Sequence, residues 1–129
     1  MNKIIVEISI GELLDKISIL EIKKDKIKDP DKLKFISKEH SILKNQLENN
    51  IKTDDKLNEL FQSLKEINDK LWVIEDNKRL CEKDKDFGEK FIKLSRDVHF
   101  LNDDRARIKL EINNHTGSQI KEIKEYTNY

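Results

Sequence analysis

Arginine is suited to gripping a carboxylate or phosphate because its planar guanidinium offers two parallel N–H donors to two oxygens. The chain concentrates such chemistry in the run Asn102, Asp103, Asp104, Arg105, Ala106, Arg107, with Glu75, Asp76 and Arg79 upstream and Arg96 between them. Arg105 stands in a row of otherwise apolar side chains, Phe87, Phe91, Leu94, Val98, Leu101, Arg105, Ile108 and Ile112, spaced alternately by four and three residues. A helix with that rhythm turns the whole row inward. An unpaired buried charge costs several kcal/mol, so the pattern predicts that a carboxylate such as Glu75 meets Arg105, or that its head reaches solvent. Two chemistries follow. One is a buried ion pair that fixes helix register. The other is a polar pocket where Arg105, Arg79 or Arg96 holds a small anionic ligand among Glu75, Asp76, Asn102 and Asp103.

Other reactive constellations are weaker. A phosphate cradle needs clustered glycines, whereas Gly11, Gly88 and Gly117 lie far apart. Cys81, His40, His99 and His115 show no zinc-ligand spacing. Glu12 with Asp15, and Glu66 with Asp69, place two carboxylates on one helix face in a manner that could serve a divalent metal. In a chain this rich in Asp and Glu such pairs arise by chance, so no metal site, no cofactor and no catalytic residue is assigned. His40 falls in a seam and is expected to be half-buried and bonded to a neighbour. Cys81 is expected to be a small apolar filler or an incidental surface thiol. Trp72, the single tryptophan, is expected at an edge of the core or in a contact between two copies.

The elements that must position these groups are mainly helical. Residues 3–8 alternate imperfectly and are rich in β-branched side chains, which predicts a short strand. Ser9 followed by Glu12 forms a capping box, with Ile8 and Leu13 at the staple positions, and opens a helix over residues 10–28. Asp29-Pro30 ends that helix and starts a second, carrying Leu33, Ile36, His40, Leu43 and Leu47. Thr53 or Asp54 caps a third, which carries Leu57, Leu60, Phe61, Leu64, Ile67, Leu71 and Ile74 and extends to about Lys83. Asp86 with Glu89 offers a box-like start for the fourth, and Asn113-Asn114 with Gly117 supplies its stop. The tail, residues 118–129, reads as an extended segment beside the N-terminal strand.

Composition narrows the function classes. Charged residues make up 40% of 129 positions and apolar ones 36%, as long amphipathic helices around a narrow core require. Twenty-six basic side chains balance 26 acidic ones, so no net field draws the chain to nucleic acid or an anionic membrane. No stretch approaches the roughly 20 apolar residues of a membrane span, and Glu7 interrupts the N-terminal apolar run that a signal peptide would need. A lone cysteine fits a reducing compartment, which points to the cytoplasm.

Several motifs together resemble a family of small bacterial helical proteins known as a domain of unknown function. Ile8-Ser9, Gly11-Glu12-Leu13, Asp15-Lys16-Ile17 and Leu20-Glu21-Ile22-Lys23 are similar to its opening. Leu71-Trp72, Ile74-Glu75-Asp76 and Arg79 are similar to its middle motif. Phe91-Ile92, Leu94, Arg96, Val98, Asn102-Asp103, Arg105-Ala106 and Ile108-Lys109 resemble its third, and Gly117-Ser118 with Tyr126 its close. Residues 29–68 match only in apolar pattern. The resemblance implies no particular activity, but motifs so rich in charge exceed what packing alone needs.

These readings lead to one domain over residues 1–129, an antiparallel helical bundle or coiled coil of about four helices, with a two-stranded element joining the termini. The leading functional expectation is a non-catalytic cytoplasmic interaction or accessory module that pairs with a protein partner or forms a homodimer. The alternative is a binder of, or enzyme acting on, a small anionic metabolite through the Arg/Asp/Glu cluster. Nucleic acid and membrane are not expected partners.

Overall fold

A computed structural model describes residues 2–129. Four helices follow in order: α1 (Ile10–Lys26), α2 (Pro30–Asn50), α3 (Asp55–Asp84) and α4 (Glu89–Thr116). Local chemistry sets most boundaries. The Ser9 side chain accepts from Glu12 N at the start of α1. Asp29 accepts from Asp31 N and Lys32 N, with proline in the first turn of α2. Asp54 accepts from Leu57 N at 2.7 Å to open α3. Gly117, in the left-handed region with φ 69°, closes α4.

Two expected boxes form only in part. The Glu12 carboxylate turns to Lys109, at 2.7 Å, rather than back to the Ser9 amide. Asp86 accepts from Gly88 N, so Gly88 becomes the cap of α4, without a side-chain bond, and Phe87 lies outside the helix.

α1 is the central rod, packing against each of the other three helices, while α2 packs only against α1 among the described helices. Gly11 meets Asn113 and Asp15 meets Arg105, so α1 and α4 run antiparallel. Leu14, Ile17, Leu47, Leu57, Leu60, Leu64, Ile108 and Ile112 form the core. Its α3 and α4 members all lie in one half of the α3–α4 hairpin, where α1 and α2 pack, and length explains why. At 1.5 Å per residue α1 spans roughly 25 Å and α3 roughly 45 Å, so the far half of the hairpin has no third helix against it among the described residues. There the α4 row becomes a two-helix contact. Phe91, Leu94, Val98 and Leu101 are half-buried rather than buried.

No β-strand forms among the described residues. Residues 2–8 are exposed, with no neighbouring strand to receive their backbone hydrogen bonds. The termini do meet, but through a side chain: Ile10 N donates to Ser118 Oγ at 3.2 Å. The tail then returns along α4 instead of lying beside the N-terminus. Glu122 reaches Lys109 at 3.0 Å, and Tyr129 packs edge-on against His99 and Phe100 while its hydroxyl donates to Asp103.

One glycine permits the closest helix approach. A Cβ on Gly11 would stand 2.6 Å from the Lys109 carbonyl oxygen, a backbone atom that cannot swing away. Alanine favours a helix interior by about 1 kcal/mol over glycine, but separating α1 from α4 costs about 1–3 kcal/mol. Gly11→Ala is therefore expected to lower the urea midpoint. Gly88→Ala meets only the flexible Asp86 side chain at 3.3 Å and exchanges a favoured cap residue for alanine, so it should lower the midpoint by less. Equal midpoints for the two variants would contradict this packing.

Candidate functional site

The buried residues Gly11, Asp15, Ser18 and Ile22 follow one another on α1 at spacings of four and three, and this row faces the long helices. Asp15, with 2% of its side chain exposed, is the centre of what they meet. Arg105 from α4 donates Nε to Asp15 Oδ1 at 3.0 Å and Nη2 to Oδ2, a two-pronged grip. Asn68 from α3 donates one amide nitrogen to both Asp15 Oδ1 and Ser18 Oγ, at 2.8 Å each. Lys109 lies one turn beyond Arg105, at 3.8 Å from Asp15, and bonds Glu12 and Glu122. Arg105 thus faces inward as expected, but its carboxylate is Asp15 and not Glu75.

Burial pushes the Asp15 carboxyl up. The hydrogen bonds from Arg105 and Asn68, with the charges of Arg105 and Lys109, more than reverse this and hold it below the usual aspartate value. For Arg105, the hydrogen bond to Asp15 outweighs burial and raises an already high value. Burial alone would lower Lys109, and its bonds to Glu12 and Glu122 raise it instead.

Above this cluster lies an open groove of about 380 Å³ between α1, α3 and α4. Ile19, Ile22, Leu71 and Trp72 form its apolar wall. Asn68 and Arg105 reach it from the buried cluster, and Glu75, Asp76 and Arg79 complete its lining from α3. Arg105 belongs to both places, since 29% of its side chain remains exposed.

Of the seven side chains singled out in the sequence, Glu75, Asp76, Arg79 and Arg105 therefore meet around one groove. Asn102 sits behind it, its oxygen 3.5 Å from Arg105 Nη1. Asp103 accepts from the Tyr129 hydroxyl, and Arg96 lies over the Phe100 ring, so neither lines the groove. The Glu12–Asp15 pair is drawn to the cations of α4, and no three His, Cys, Asp or Glu side chains converge on a metal position among the described residues. Sequence reasoning missed Asn68, Lys109 and the partnership of Asp15. His40 is half-buried with Nε2 3.3 Å from Glu21, as expected, and Cys81 is buried, which fits the apolar filler and not the surface thiol of its two readings.

The chain belongs to a family of unknown function, DUF6165, which matches residues 4–129. No curated protein and no solved structure matches it. No helix among the described residues is long and apolar enough to cross a membrane.

The charge cluster sets an expected pH profile. The folded-state value of Asp15 is depressed, so its contribution is complete above the ordinary 3.8 and is lost as pH falls through the lower folded value. Lys109 is raised, so its contribution is present below 10.5 and is lost as pH rises through the higher folded value. Urea unfolding should show greatest stability near neutrality with a fall on both sides, and Asp15→Asn should flatten the acid limb. Arg105→Ala leaves a buried carboxylate with only Lys109 nearby and should cost about 3–5 kcal/mol at neutral pH. A cost below about 1 kcal/mol would contradict the assigned pairing.

Proposed function

We propose that the protein is a non-catalytic binding module and that the groove between α1, α3 and α4 receives a small ligand with an apolar body and a charged head that includes a carboxylate or phosphate. The observation that carries this reading is the convergence of Trp72, Glu75, Asp76, Arg79 and Arg105 on one open space of about 380 Å³. That volume lies near the lower end of the roughly 300–1,000 Å³ of small-molecule sites. Arg79 forms no ion pair among the described residues, so its guanidinium is free to meet a carboxylate or phosphate. Asp15 anchors Arg105, which gives the groove a fixed floor. No serine, threonine, cysteine or histidine lines the space, which favours binding over covalent chemistry. A buried, unpaired Cys81 supports a reducing compartment such as the cytoplasm.

A second reading, self-association, draws on the opposite side of the α3–α4 hairpin. There Val73 and Phe100 are exposed beside a shallow groove of about 470 Å³ that also includes Ile74 and Leu101. No helix among the described residues covers this side, and two copies joined across it would extend the two-helix contact into a four-helix one.

Two measurements test these readings. A thermal-shift panel of carboxylated and phosphorylated metabolites should contain a compound that stabilises the protein by about 2.7 kcal/mol at a hundred times its Kd. Arg79→Ala should lose that shift while its unliganded Tm stays within about 2 °C of wild type, as expected for a surface change of small effect. A panel without any shift would count against the groove. Light scattering should give a dimer mass that falls to a monomer in Phe100→Glu, and a monomer at every concentration would count against self-association.

A further inference from the structure

The charges around the groove do not make a simple anion site. Arg105 is engaged by Asp15 on two donors, so its positive charge is already answered. Arg79 is left as the one free cation of the lining, while Glu75 and Asp76 stand on the same α3 rim, exposed and without an ion pair among the described residues. A purely anionic ligand would therefore bring its charge to one guanidinium and two unanswered carboxylates. A simple cation would answer the carboxylates but leave the Arg79 guanidinium without a partner. A molecule with an ammonium and a carboxylate on one carbon suits both signs. Glu75 and Arg79 are four residues apart on α3, which places their Cβ atoms about 5–6 Å apart on one face. A zwitterion lying between them can donate its ammonium to Glu75 or Asp76 and accept the Arg79 fork on its carboxylate. Its side chain would then lie toward Leu71 and the Trp72 ring.

We infer that the groove binds a free α-amino acid with a large apolar or aromatic side chain. This rests on the reading of the groove as a binding site and specifies its ligand class. Trp72 is the only tryptophan, so its fluorescence reports from the groove wall itself.

The full chain is titrated with L-phenylalanine, with 3-phenylpropionate, which lacks the ammonium, and with 2-phenylethylamine, which lacks the carboxylate. Phenylalanine is expected to give a saturable change in Trp72 fluorescence. Each truncated analogue should bind about tenfold more weakly or worse, as loss of one charge-assisted contact implies. Arg79→Gln should abolish the preference over the amine, and the Glu75→Gln, Asp76→Asn double variant the preference over the acid. If phenylpropionate binds as tightly as phenylalanine, the zwitterion assignment is overturned and the groove remains an anion site. If none of the three, nor any compound of the metabolite panel, changes the fluorescence, the assignment and the binding reading both fall.

Discussion

Water barely reaches the carboxylate of Asp15, and both long helices must bring hydrogen-bond donors to it. Asn68 comes from α3, Arg105 and Lys109 from α4. A buried ion pair adds less net stability than apolar packing of the same volume, because both charges lose their hydration. What it does impose is register. Sliding α1 by one turn along α4, about 5.4 Å, would leave Asp15 without its grip and bring a Cβ-bearing residue to the place where Gly11 touches the Lys109 carbonyl.

That register shapes the groove. Fixing Asp15 against Arg105 sets where Ile19 and Ile22, one and two turns further along α1, face Leu71 and Trp72. α1 ends at Lys26 while α3 continues to Asp84, and the groove opens where the shorter rod gives way to the longer hairpin. Charged side chains of α3 thus stand beside apolar wall that no further helix covers. The tail is tied to the same network, since Glu122 shares Lys109 with Glu12 and lies one bond from the groups around Asp15.

Much of this was legible from residue types and spacing. Caps at Ser9, Asp29 and Asp54 and the stop at Gly117 depend on side chains within a few positions of the backbone they serve, so local sequence suffices. The four-and-three rhythm around Arg105 correctly turned it inward. Its partner was not legible, because Asp15 lies 90 positions away and which helix packs there depends on the assembly. A signal was present in α1: Gly11, Asp15 and Ser18 form a row of small and polar residues beside the apolar row of Leu14 and Ile17, and such a row marks close helix contact with polar donors opposite. Apolar periodicity alone passes over it. The strand expected at residues 3–8 failed for a related reason, since β-branched residues favour extended backbone but a strand also needs a partner edge.

The coupling between Asp15 and Arg105 holds the junction together, and a double-mutant cycle measures it directly. Stability would be taken from urea unfolding of wild type, Asp15→Asn, Arg105→Met and the combined variant. The account predicts that the double variant loses less than the two single losses together, by about 1–3 kcal/mol, because the second change removes a charge already deprived of its partner. Additivity within about 0.5 kcal/mol would mean that the two groups do not depend on each other, and would contradict the junction on which the groove is built.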